Sequence, residues 1–187
     1  GLGDVYKRQT VYFVYSGEVM LYNLTKHGNR KVIFILGKGR LLNQSIVSKK
    51  PNALFCEAAC PVQVIEIAEK QFLQLMEQSH ALTRAVLREY ERNLWRMGHQ
   101  LKNTTGNMQM ERKIAAKLWK LGRDFGVDTE DGVMIDIDLT ITLMADLVGA
   151  PRENVSRACK VLTDRGLIRY GLSLIHISEP TRPISIS

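Results

Sequence analysis

The sequence predicts an α+β fold: a partial antiparallel β-roll of the double-stranded β-helix (jelly-roll) type, a long helix carrying a dimerisation seam, and a winged helix-turn-helix. Three observations lead there. Short β-branched and aromatic runs with glycine breaks fill residues 11–67. A repeat of alternating three- and four-residue spacing runs through residues 87–101. Two short apolar-periodic segments then flank Gly149.

The β-rich part reads as Val11–Tyr15, a break at Ser16-Gly17-Glu18, Val19–Leu24, a turn at His27-Gly28-Asn29, Lys31–Leu36, and a break at Gly37-Lys38-Gly39. A further strand pair is placed at Leu54–Ala59 and Val62–Ile67. Alternating apolar runs of this length between turn residues mark an antiparallel roll or barrel. After Ala68 the period changes, to a short helix at Glu69–Gln78 and a long one from Ser79 to Asn103. Leu87, Tyr90, Leu94, Met97 and Leu101 form the seam of a left-handed two-helix packing, and Arg84, Arg88, Arg92 and Arg96 form a solvated row on another face. Thr104-Thr105-Gly106-Asn107 reads as a hinge, and Met108 to Phe125 as a helix with Ile114, Leu118 and Leu121 inward. A loop at Gly126 and Asp128–Gly132 and a short strand at Val133–Ile137 follow.

Thr140 suits a helix N-cap, Gly149 a tight turn and Pro151 the first position of a second helix reaching Asp164. That helix buries Val155, Ala158, Val161 and Leu162, with Cys159 beside them. It exposes Arg152, Glu153, Ser156 and Arg157 within its first turns. Arginine offers two donors to guanine, glutamate accepts from cytosine, and serine reaches a base or a phosphate. Lys160, Arg165 and Arg169 stand where phosphate contacts are expected. Residues 167–170 begin a wing. Residues 150–170 hold five basic and two acidic side chains, although residues 107–171 carry ten of each sign. Placement, not domain charge, therefore supports a polyanion partner.

These residues resemble a known family. Leu139-Thr140, Met144–Ala158 with its Arg-Glu-x-Val-Ser-Arg run, Leu162 and Gly166-Leu167-Ile168 resemble the helix-turn-helix of Crp/Fnr regulators. Tyr12–Val19 resembles the sensor strand pair of the same family. The resemblance implies a cytoplasmic, bacterial transcription regulator that binds double-stranded DNA as a homodimer at a two-fold related operator and works with RNA polymerase. It makes Arg152, Glu153 and Arg157 the base readers and Ser156 a base or phosphate contact.

The sequence departs from the family's cyclic-nucleotide cassette of glycine, glutamate and an arginine followed by serine or threonine. Among Gly39, Arg40, Asn43, Gln44, Asn52 and Ala53, the candidate effector pocket, Gln44 stands at the glutamate and Asn52-Ala53 at the arginine pair. Arg40 or Lys49-Lys50 could substitute for that cation. A phosphate without a buried cation loses hydration for little return, so cyclic AMP is not expected and the effector is an unknown small molecule or redox signal. Iron–sulfur members of the family carry an N-terminal cysteine cluster, which lies outside this sequence. Cys56, Cys60 and Cys159 read as packing residues rather than a metal or redox set, and His27, His80 and His99 are too scattered for a metal or haem. No cofactor and no metal site are assigned.

Other classes stay in view. A cyclic-nucleotide-type module acting on a partner protein would use the C-terminal helices for protein contact. An enzyme is disfavoured, because no nucleophile–base pair or phosphate loop has the needed spacing. No apolar run reaches a membrane-spanning length, so no membrane partner is expected.

The two ends are expected to be foreign. Asp4–Gln9 can be encoded by GAT-GTG-TAT-AAG-AGA-CAG, whose reverse complement encodes Leu-Ser-Leu-Ile-His-Ile, the peptide at Leu172–Ile177. One inverted DNA element explains both, as adapter read-through would. Excluding residues 1–9 and 172–187 lowers the formal charge from +7 to +6. The expected domains are a β-roll effector-sensing domain (10–78), a dimerisation helix with hinge (79–105) and a DNA-binding domain (106–171).

Overall fold

The computed structural model describes residues 10–26, 28–48, 53–104, 108–170 and 175–178. The chain divides into two compact units on either side of the Gly106–Asn107 bond. His27, Lys49, Lys50, Asn52 and the hinge residues Thr105–Asn107 lie outside the described residues.

In the first unit, β1 (Thr10–Ser16), β2 (Val19–Leu24), β3 (Arg30–Leu36), β4 (Phe55–Ala58) and β5 (Gln63–Ala68) precede α1 (Glu69–Gln78) and α2 (His80–Thr104). β1 pairs antiparallel with β5, while β2 sits between β3 and β4 in a second antiparallel sheet. The two-residue period of a strand sends alternate side chains of β1 to different cores. Tyr12 and Val14 join Val19, Leu21, Phe34, Leu36, Leu42 and Cys56 inside the roll. Val11 and Phe13 point the other way, to a cluster of Leu41, Ile46, Phe72 and Val86 that seats α1 and α2. Residues 39–42 run beside β1: Gly39 N–H donates to Val14 O at 2.8 Å and Leu42 N–H to Tyr12 O at 2.9 Å.

Gly17 closes the β1–β2 turn at φ +79°, and a Cβ there would lie 2.4 Å from Pro61 O. The turn therefore needs glycine for two reasons, the left-handed backbone and the close approach of the chain leading to β5.

The faces of α2 differ in part from the sequence expectation. Leu87, Leu94, Met97 and Leu101 are exposed (55%, 72%, 46% and 65%). Tyr90 is not part of that open face: it packs against the Val11–Phe72 cluster, and its hydroxyl donates to Asn43 O at 3.4 Å. Arg96 is not solvated either, being 3% exposed. The reason is helical phase. Each four-residue step advances about 40° beyond a full turn, so the row from Arg84 to Arg96 winds about 120° around α2 and its last member reaches the roll.

The second unit contains α3 (Met110–Phe125), β6 (Gly126–Thr129), β7 (Gly132–Ile135), α4 (Ile141–Val148), α5 (Arg152–Asp164), β8 (Ile168–Tyr170) and β9 (Ile175–Ser178). The acidic segment after α3, expected as a loop, is half of a β6–β7 hairpin. The sheet order is β6-β7-β9-β8. Ile175–Ser178, placed by the sequence reading in a foreign tail, thus forms an inner strand with Ile175 fully buried. Val161 is only partly buried, whereas Cys159 takes a fully buried place.

Gly17→Ala should destabilise the protein by more than Gly28→Ala in urea unfolding. Both positions have positive φ, which costs about 1–2 kcal/mol for a residue with a Cβ. Only Gly17 adds a clash, since nothing lies within 4 Å of a Cβ at Gly28.

Candidate nucleic-acid interface

The second unit is built so that one side of α5 is free. α3, α4 and α5 touch one another pairwise, with Ile114, Leu118 and Leu121 of α3, Met144, Ala145 and Leu147 of α4, and Val155, Ala158, Cys159 and Leu162 of α5 buried. On a helix of about 3.6 residues per turn, the four buried positions of α5 span about 100°. Arg152, Glu153, Ser156, Arg157 and Lys160, all exposed, span about 140° on the opposite side.

The turn that aims α5 follows from three residues. The Thr140 hydroxyl caps α4 by accepting from Leu143 N–H at 3.1 Å, which meets a donor the helix cannot satisfy itself. Gly149 ends α4 at φ 70°, and its N–H donates to Ala145 O at 2.8 Å. Pro151 then occupies the N-cap of α5, one place earlier than the sequence expectation, and its carbonyl accepts from Asn154 and Val155 N–H at 3.1 and 3.2 Å. Tyr170 O–H donates to Leu139 O at 3.1 Å, tying β8 to the segment before α4. Burial, with Cys159 and Asp138 nearby, pushes the Tyr170 phenol above its ordinary range, so it remains a donor.

Two cationic side chains of the face are held by local partners. Arg157 folds along α5, donating from Nη2 to Asn154 Oδ1 at 2.6 Å and from Nε to Glu153 O at 3.3 Å. Sequence reasoning misses Asn154, although its three-residue spacing from Arg157 on a helix is the available signal. Arg169 on β8 pairs with Asp131 in the β6–β7 turn at 2.8 Å, both side chains more than half exposed. Arg165 is exposed at the C-cap of α5, and Thr140 is exposed at the start of α4. Cys159 is a packing residue, with burial raising its thiol pKa.

The candidate effector residues lie in the first unit, where most are already engaged. Asn43 Oδ1 accepts from Tyr12 N–H at 2.7 Å and its Nδ2 donates to Thr10 O at 2.9 Å, bracing β1. Gln44 Oε1 accepts from Ala53 and Leu54 N–H at 2.8 and 3.1 Å, holding the chain before β4. Arg40 Nη1 bonds Glu89 Oε2 of α2 at 2.8 Å, with side chains 20% and 14% exposed. Cys56 is buried in the roll. Cys60 donates to Glu18 Oε2 at 2.8 Å, and burial followed by that bond raises its pKa. No disulfide joins Cys56, Cys60 or Cys159. His80 is exposed, and His99 stacks on Trp95. Among the described residues no three His, Cys, Asp or Glu side chains gather as metal ligands, and no helix is long and apolar enough to cross a membrane.

Known proteins share this arrangement. Residues 112–182 match the Crp-like helix-turn-helix domain and residues 5–79 the cyclic nucleotide-binding domain. The chain is 24% identical over 181 residues to the global nitrogen regulator of Nostoc sp., covering 95% of this chain and 80% of that protein. It is 26% identical over 172 residues to the cAMP-activated global transcriptional regulator CRP of Haemophilus influenzae, covering 89% and 75%. In fold it is similar to FixK2 from Bradyrhizobium japonicum, with a TM-score of 0.76 at 21% identity over 91% of this chain and 83% of that one. A CooA mutant from Carboxydothermus hydrogenoformans gives 0.77 at 17% identity over 91% and 75%. Of the two sequence relatives, one is named a global nitrogen regulator and the other a global transcriptional regulator. With a β-roll, a long helix and a winged helix-turn-helix in this order, the chain belongs to the Crp/Fnr family of DNA-binding transcription regulators.

Proposed function

We propose that the chain acts as a homodimer on a two-fold related operator, α5 of each copy lying in the major groove, under control of an effector other than cyclic AMP sensed in the β-roll. The observation that carries this reading is the exposed arc of α5, with Arg152, Glu153 and Arg157 facing away from the Val155–Leu162 stripe. In it, Arg152, Glu153 and Arg157 read bases, Ser156 meets a base or phosphate, and Thr140, Lys160, Arg165 and Arg169 meet the backbone. Thr140 serves DNA through its remaining hydrogen-bonding capacity, since its cap uses one lone pair. The Arg157–Asn154 and Arg169–Asp131 contacts are exposed, and such contacts exchange readily for charged acceptors on DNA.

The dimer reading is supported by Leu87, Leu94, Met97 and Leu101, an apolar stripe at seven-, three- and four-residue spacings on a 25-residue helix. Two such stripes bury each other in a parallel pair and set the separation of the two reading helices. RNA polymerase is the partner such a DNA-bound dimer serves. The case against cyclic AMP rests on Arg40, whose charge is compensated by Glu89, and on Gln44, whose carbonyl oxygen braces the chain before β4.

Site enrichment from random duplexes, followed by fluorescence anisotropy across a salt series, tests the reading. Recovery of no preferred sequence would favour a module that acts on a partner protein. Arg157→Ala should lose about 1–3 kcal/mol of discrimination at one base pair per half-site. Lys160→Ala should weaken all sequences alike and reduce the salt slope by about 0.9 for each phosphate left unneutralised. Leu94→Glu should convert the dimer to monomer in analytical ultracentrifugation and remove preference for paired over single half-sites. Cyclic AMP should leave operator affinity unchanged; a saturable increase would return the nucleotide as effector.

A further inference from the structure

Two sides of α2 are already occupied or apolar. Val86, Glu89, Asn93, Arg96 and Gln100 turn to the roll: Arg96 is 3% exposed, the Asn93 amide oxygen is buried, and Gln100 Nε2 donates to Ile33 O of β3 at 2.8 Å. Leu87, Leu94, Met97 and Leu101 form the exposed apolar stripe. A third side remains. With about 100° of turn per residue, Arg84, Arg88, Arg92, Trp95 and His99 fall within an arc of about 80°. The centre of that arc lies about 120° from the roll-facing set and about 135° from the stripe. All five residues are exposed. Trp95, of a type that is mostly buried, is 51% exposed.

The arc carries one sign of charge. Both carboxylates of α2 lie outside it, Glu89 toward the roll, where Arg40 bonds it, and Glu91 beside Leu87 and Leu94. Arg92 Nη1 lies 3.7 Å from Glu89 Oε2 with its side chain half exposed, a weak contact that a phosphate can replace. Successive arginines are about 6 Å apart along the axis, four residues at 1.5 Å each. Beyond them the rings of Trp95 and His99 stack at 3.7 Å, and the Trp95 carbonyl accepts from His99 Nδ1 at 3.1 Å. A cationic ladder therefore leads to a two-ring platform. Ala81 and Ala85 add little apolar surface to it, so a protein partner finds no aliphatic bed for its anchors. A duplex keeps its base faces stacked inside. A single strand offers both complements, phosphates for the guanidinium groups and open base faces for the rings.

We propose that this side of α2 binds single-stranded nucleic acid, with phosphates on Arg84, Arg88 and Arg92 and a base on the Trp95–His99 platform. Ladder and platform extend over about 22 Å of helix, the reach of a strand of a few nucleotides. A strand held there covers neither the apolar stripe nor the exposed arc of α5. The chain thus has a surface for single strands besides the one proposed for duplex.

Fluorescence anisotropy of the full chain tests this with oligothymidylate and oligouridylate of about twelve nucleotides, beside a duplex of equal length and an oligoglutamate peptide. Both single strands should bind saturably. Trp95→Ala should weaken them about 5- to 150-fold, the range for losing one base stack, whereas Trp95→Phe, which keeps a ring, should retain binding. Arg84→Gln and Arg88→Gln should each lower the salt slope for single strands by about 0.7. These exposed substitutions should leave duplex affinity and melting temperature unchanged, so a loss on single strands is not a loss of fold or of α5. In Trp119→Phe, where Trp95 is the one tryptophan left, either strand should quench its fluorescence. Tighter binding of the uridylate selects RNA as the source, tighter binding of the thymidylate selects DNA, and equal binding selects the chemistry they share. Absence of saturable single-strand binding overturns the proposal, as does binding that Trp95→Ala leaves intact. Oligoglutamate binding more tightly than either strand also overturns it and marks the face as a dock for an acidic protein.

Discussion

Val155, Ala158, Cys159 and Leu162 can leave water only by lying against α3 and α4, and this one constraint decides which residues of α5 face outward. A helix of 13 residues has little stability alone. Burying side chains such as Val155 and Leu162 contributes about 1.5–3 kcal/mol each, enough to hold α5 as a rigid rod. The exposed arginines and glutamate are consequently presented at set angles, where a flexible basic segment would offer only charge. The Thr140 cap and the Gly149 turn serve the same end, since they fix where the rod begins.

α2 shows how one helix can serve three environments. Its apolar seam faces outward, its apolar start packs on the roll, and its polar middle is buried beside the roll. Helical phase alone separates these sets. Tyr90 lies at the border between two of them, where a large ring with a hydroxyl suits a site that is apolar on one side and offers the Asn43 carbonyl on the other.

The charged pairs of the molecule fall into two kinds. Arg169–Asp131 is exposed, so its free energy is small and screened by salt. Arg40–Glu89 is shielded, so removing one partner strands the other charge at much greater cost. The first kind suits a surface that must exchange its partner for DNA, and the second joins the chain after β3 to α2.

The sequence by itself determined the order of the helices, the ends of α1 and α4, and the exposed arc of α5 opposite Val155, Ala158 and Leu162, because each depends on local period, caps and turn residues. Arg96, Tyr90 and the strand Ile175–Ser178 were decided by tertiary structure. A four-residue arginine spacing looks like a single face in sequence, yet its drift around a long helix leads the last member wherever a neighbouring roll happens to stand. A heptad position says nothing about which of two apolar surfaces will claim it. Burial of Glu89 and Asn93 was likewise invisible, since polar residues on a helix read as solvated until the sheet beside them is placed.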